Sequence, residues 1–162
     1  MRRLIFTFIG GAVLGTGAGF VIGIFLYPYI FLADIVAMEE VADAESKRVV
    51  ATGAFVHVNP SDPIHYGAGT LTLYEDLVHL ERDFAVGPGP KFHVYLVPAA
   101  PVTSASEVTG TVFVDLGRLK AFKGSQSFPI PPGVDLSKYG SVVIWCQEFG
   151  VLISPASLEF RS

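Results

Sequence analysis

The sequence predicts an all-β fold, a compact antiparallel β-sandwich, preceded by one N-terminal transmembrane helix. Three observations predict it. Residues 4–33 contain no Asp, Glu, Lys, Arg or His. Beyond Thr52-Gly53 the chain breaks into short runs rich in Val, Phe, Thr, Leu and Tyr, separated by turn residues roughly every 8–12 positions, as in sandwiches and barrels. The charge is also unevenly divided, because residues 38–162 hold 14 of the 15 acids and 9 of the 11 bases, a net −5. A composition of 51% hydrophobic and 16% charged residues therefore describes two objects, an apolar segment and an acidic domain.

The first element is the run from Leu4 to Ala33. About 20 apolar residues cross a hydrocarbon core of ~30 Å, whereas a cleaved signal peptide has an apolar stretch of only ~7–15 residues. The run is read as an uncleaved signal anchor. Arg2 and Arg3 precede it, and Asp34, Glu39, Glu40, Asp43 and Glu45 follow it before the first base, Lys47. That asymmetry puts residues 1–3 in the cytoplasm and the domain outside the cell membrane, in the periplasm of a Gram-negative cell. Gly11, Gly15, Gly19 and Gly23 form one helical stripe, which reads either as a self-association surface or as ordinary membrane-helix composition.

Residues 34–50 are read as a helical stalk or linker, since Phe31, Ile35, Met38 and Ala42 keep helical spacing and Asp43 and Lys47 form an i,i+4 pair. Residues 51–162 form the extracytoplasmic β domain. Strands are expected near 50–58, 68–75, 77–84, 92–97, 111–115, 126–130, 141–147, 149–153 and 157–160. Between them, Asn59-Pro60-Ser61-Asp62-Pro63, Gly87-Pro88-Gly89-Pro90, Pro98 to Pro101 and Pro129 to Gly133 are loops, because proline removes ladder donors and glycine relaxes the backbone.

Most chemistry is excluded at once. The net negative domain has no Lys/Arg run longer than two, so nucleic acid is not a partner. One cysteine rules out an internal disulfide and Cys-rich zinc sites. HExxH, GxxxxGK[ST] and GxSxG are all missing, leaving a hydrolase without a nucleophile–base motif. Glu81 and Asp83, two apart on a strand, are either an acid/base pair or a solvated face. Cys146 shares a strand face with Val142 and Ile144, so it is either a core thiol or, in an oxidising compartment, a redox group. His93 has parity opposite to Phe92, Val94 and Leu96, and His65 sits in a turn entering a strand.

Several short motifs in order carry a resemblance. They are Gly53-Ala-Phe55, Asp62-Pro-Ile-His65-Tyr-Gly-Ala-Gly69-Thr-Leu71, Leu80-Glu-Arg-Asp83-Phe84, Gly87-Pro-Gly-Pro90 leading to His93-Val-Tyr-Leu96, Val114-Asp-Leu-Gly117-Arg-Leu119-Lys, and Val143-Ile-Trp145-Cys146 with Phe149. Residues 53–160 so read resemble the DM13 domain family of membrane-anchored and cell-surface proteins. Lys91 departs from the pattern, which usually places an aspartate there. The resemblance implies a β-sandwich and extracytoplasmic electron transfer through the cysteine of the Trp-Cys pair, as a free thiol or as ligand to a prosthetic group such as haem. Cys146 is thus the redox candidate, and His65 and His93 are the candidate cofactor-binding residues beside it, for a haem or a metal that the sequence does not require. The expected partners are the membrane, a second copy through the glycine stripe, and an envelope redox protein. The alternative is a non-catalytic binding or assembly module in which Cys146 is core.

Overall fold

The structure, a computed structural model, describes residues 2–27, 30, 31 and 33–161. Positions 28, 29 and 32 of the predicted 4–33 span, together with Met1 and Ser162, lie outside the described residues. Helix α1 (Arg2–Tyr27) contains a stretch, Arg2–Ile24, long and apolar enough to cross a membrane, none of it buried in the protein. A Cβ added at Gly11, Gly15, Gly19 or Gly23 would meet nothing within 4 Å, so the glycine face is open.

The domain is built from β1 (Val36–Met38), β2 (Val49–Phe55), β3 (Gly67–Ala68), β4 (Thr70–Tyr74), β5 (Leu77–Leu80), β6 (Ala85–Val86), β7 (Phe92–Val97), the short helix α2 (Ser106–Thr109), β8 (Val114–Arg118), β9 (Lys123–Pro129), β10 (Ser141–Cys146) and β11 (Val151–Phe160). Where two stacked sheets are expected, the strands form one continuous sheet in the order β3-β6-β9-β5-β4-β2-β11-β10-β7-β8, with β1 added in parallel on β9. Register shifts at Ile144/Trp145, Val49/Ala51 and Val94/Tyr95 increase the twist and roll the sheet over its own core. β8 touches β9, Leu119 N extends the β7–β8 ladder by donating to Phe92 O (2.8 Å), and the Phe92 ring meets the Phe122 ring, just before β9, at 5.7 Å. The enclosed core takes alternate residues of most strands, among them Leu71, Leu73, Val78, Leu80, Phe128 and Ile153. A smaller cluster of Tyr95, Val97, Val102, Val108, Val143 and Trp145 lies on the outer face under α2.

The predicted strand at 92–97 coincides with β7, and the one at 141–147 runs one residue past β10. The one expected at 111–115 lies later, as β8, and those at 149–153 and 157–160 are a single strand, β11, that runs through Pro155. Pro155 is tolerated because its N and carbonyl point towards β2 just where that ladder ends, and its carbonyl still accepts from Val56 N (3.0 Å).

The helical stalk over 34–50 is not formed. Asp43 has φ +53°, which breaks helical continuity, and Lys47 pairs with Asp76 instead of Asp43. The segment is a strap instead. β1 pairs with β9, Glu39 N donates to Ser125 O (3.0 Å), and the Glu39 carboxylate accepts from Lys120 Nζ (2.8 Å) and Ser127 N (2.9 Å). Burial pushes this carboxyl up, but Lys120 and the Ser127 amide outweigh it and hold Glu39 below the usual carboxylate range. The close approach of β1 to β9 needs Gly124, whose φ is +87° and whose added Cβ would collide with Ala37 O. Gly124→Ala is therefore expected to abolish hydrogen-exchange protection of residues 36–39 while β7 and β10 stay protected. Protection retained in the strap would show that β1 does not depend on that approach.

Candidate functional site

Cys146 closes β10, whose residues alternate between two buried faces. Val142, Ile144 and Cys146 enter the main core, and Val143 and Trp145 enter the outer cluster. The chain then turns through Gln147–Phe149 and returns at Gly150 (φ +63°), where Gly150 N donates to Cys146 O (2.9 Å). The thiol, in a residue 2% exposed, donates to Pro90 O at 3.3 Å, and the amides of Phe149 and Glu148 are directed at the sulfur. Burial pushes the thiol pKa up, and the two amides oppose that shift without overcoming it. The resting group is a neutral thiol with donors already in place for a thiolate. Its cover is the Gly87–Pro90 loop, in which a Cβ on Gly89 would strike the Phe92 ring.

The structure does not bring the two candidate histidines to this sulfur. His93 is paired across the ladder with Trp145, so it faces away from the core that holds Cys146, as its sequence parity predicts. Its Nδ1 lies 3.0 Å from both oxygens of Asp115. Gln147 Nε2 donates to Asp115 Oδ2 (3.0 Å) and to the Tyr95 hydroxyl (2.9 Å), while Tyr95 stacks on Phe113 at 4.4 Å. Burial pushes the Tyr95 phenol up, partly opposed by Gln147. This polar and aromatic cluster was missed by sequence reasoning; the shared parity of His93 and Tyr95 was its only signal.

His65 belongs to a self-contained loop. Asp62 accepts from Ile64 N (2.9 Å) and His65 N (3.1 Å) and lies 2.7 Å from His65 Nδ1. The bond from His65 and those from the two amides hold the Asp62 carboxyl down at about 2. Among the described residues no group of three or more His, Cys, Asp or Glu side chains could hold a metal ion. A haem or metal shared by Cys146 with His65 or His93 therefore does not fit. The sulfur is turned into the core, one histidine is on the opposite sheet face, and the other is bound to its own loop.

Glu81 and Asp83 do not form an acid/base pair either. Glu81 accepts from Thr72 Oγ1 (2.6 Å), and Asp83 accepts from both N and Oγ1 of Thr70 (3.0 Å each). They line a groove of about 960 Å³ under the strap, together with the buried His79, whose Nδ1 is 2.8 Å from Ser127 Oγ. Burial lowers the His79 pKa, with Glu81 and Glu39 opposing the shift, so its neutral form is favoured.

The raised thiol pKa has a direct kinetic consequence, because the thiolate is the reacting form. Iodoacetamide alkylation of Cys146 in the folded protein is expected to be slow at neutral pH and to accelerate only above the ordinary thiol value of about 8.5. A rate midpoint below that value would contradict the burial argument.

No curated protein and no solved structure matches the chain. The family described as Electron transfer DM13 matches residues 61–158, a stretch that includes the Asp62–His65 turn, the Gly87–Pro90 cover and the Trp145-Cys146 pair. The chain belongs to the DM13 family.

Proposed function

We propose that this protein is a membrane-tethered extracytoplasmic electron-transfer domain in which Cys146 is the redox group. The observation that carries the reading is the setting of its single thiol. It is enclosed by one short loop and faced by two backbone amides that stabilise an anion once the loop moves. With no second cysteine, two-electron chemistry cannot close within the chain. The thiolate attacks one sulfur of a partner's disulfide, a mixed disulfide forms, and the other partner sulfur leaves as thiolate. A thiol outside this chain then resolves the mixed disulfide, which calls for an envelope redox protein as partner.

The length of α1 and the charges that flank it support the anchor and its orientation. The open face at Gly11 and Gly15 supports self-association within the membrane. A second reading, a binding module with Cys146 as packing, is favoured by the burial of the thiol and its raised pKa.

Cys146→Ala separates the two. It is expected to lower stability by roughly 1 kcal/mol while abolishing activity in a cellular redox assay at matched abundance. Activity that merely follows abundance would favour the packing role. For orientation, Ser61→Cys in a Cys146→Ser background should react with a membrane-impermeant thiol reagent in intact cells; reaction only after permeabilisation would reverse the topology. Gly11→Ile with Gly15→Ile should weaken anchor self-association in a membrane two-hybrid assay, and an unchanged signal at matched expression would leave the stripe without that role.

A further inference from the structure

The end of the domain where the chain arrives from α1 concentrates positive charge. Ile35, two residues past the uncharged run, lines a cavity of about 410 Å³ with Lys91, Arg118 and Lys120. Asp34 lies 3.9 Å from Lys123 Nζ. Four of the nine bases of an acidic domain therefore gather at the end nearest the helix. Lys120 is neutralised by Glu39, and Lys123 has Asp34 beside it. Lys91 and Arg118 have no acidic partner among the described residues. They line a second cavity, of about 730 Å³, whose other wall is formed by Phe20, Gly23, Ile24 and Tyr27 of α1. His93 also borders it, but its Nδ1 is committed to Asp115.

An apolar wall facing two unpaired cations matches an amphiphile with an anionic head. At ~1.5 Å per residue the 26 residues of α1 extend about 39 Å, beyond a ~30 Å hydrocarbon core, so Ile24 and Tyr27 fall near headgroup level. We propose that this cavity holds an anionic membrane phospholipid, its phosphate between Lys91 and Arg118 and its acyl chains along the Phe20, Gly23 and Ile24 face of α1. The proposal rests on the reading of α1 as a membrane anchor. An acidic domain is repelled by an anionic bilayer everywhere except at such a patch, and the attraction acts only within about a Debye length, so the lipid fixes which end faces the membrane. It also braces the loop over the thiol, since Lys91 follows the Pro90 whose carbonyl accepts from Cys146.

The test uses the full chain, reconstituted in nanodiscs of mixed phosphatidylglycerol and phosphatidylcholine, then released into detergent for native mass spectrometry. The wild type should retain phosphatidylglycerol in preference to phosphatidylcholine. Lys91→Gln with Arg118→Gln should lower the affinity behind that retention about thirtyfold, the scale of removing two basic groups from an anionic surface. Arg161→Gln, another base without an acidic partner among the described residues, should leave it unchanged. Equal retention by the double variant, or equal retention of both lipids by the wild type, would overturn the proposal. Displacement of the lipid by inorganic phosphate alone would make the site one for a free anion and overturn the lipid assignment. Carbonate washing of membranes is scored separately: wild-type protein released by the wash would overturn the anchor reading and the proposal with it, whereas unselective lipid retention by protein that resists the wash overturns the proposal alone.

Discussion

The two-sided burial of β10 is the constraint on which the rest of the structure depends. All six residues, Ser141 to Cys146, are buried, and the strand lies between β7 and β11. A slip of one residue would turn Trp145 into the main core and Cys146 onto the outer face, exchanging the contents of both clusters. The register is therefore held from both sides by unlike volumes, an indole on one face and branched aliphatics on the other. From it follow the position of the thiol at the strand end, the turn that aims two amides at it, and the pairing of His93 with Trp145 on the far side.

At the sulfur, packing and chemistry make opposite demands. Close packing of Phe92 and the Gly87–Pro90 loop excludes water and favours the neutral thiol. The amides of Glu148 and Phe149 favour the anion, but they are not sufficient while the cover is in place. In this arrangement reactivity is governed by access rather than by a permanently lowered pKa. A closed thiol of this kind resists adventitious oxidation in an oxidising compartment, which a permanently exposed thiolate would not.

How much of this the sequence disclosed depended on whether a residue's role was set by its own neighbours in the chain. β7 and β10 were legible because apolar residues of strand type run continuously or alternate there, and the parity that turns His93 away from Cys146 was legible for the same reason. The family resemblance points to the Trp-Cys pair without any geometry. The strap was not legible: helical spacing over 34–50 is a local signal, and a parallel pairing with β9, some ninety residues away, overrides it. Nor was the role of Asp62, Glu81 or Asp83, because a carboxylate that caps a loop or ties two strands looks in sequence like any other acid. Gln126 is fully buried and clamps the 120–121 turn through Lys120 N (2.9 Å) and Ala121 O (2.8 Å); side-chain polarity alone would place it on the surface. The continuous sheet also lay beyond reach, since the bulges that let it roll are irregularities of pairing between strands rather than properties of any one of them.

The strap also constrains how a partner can approach. From Ala33, the last residue of the uncharged run, to Val36, the first residue paired in the sheet, is a reach of about 10 Å at full extension. On the anchor reading, β9 and the basic end of the domain cannot leave the membrane surface without unpairing β1 and breaking the contacts of Glu39 with Lys120 and Ser127. The loop over Cys146 lies at that same end, because Gly89 and Lys91 line the cavity that contains Ile35. On that same reading, a displacement of this loop would open the thiol on the side of the domain where the chain arrives from α1. On the redox reading proposed above, a partner of Cys146 would therefore meet the thiol at the membrane face of the domain, because the tether is short and the covering loop lies at its end.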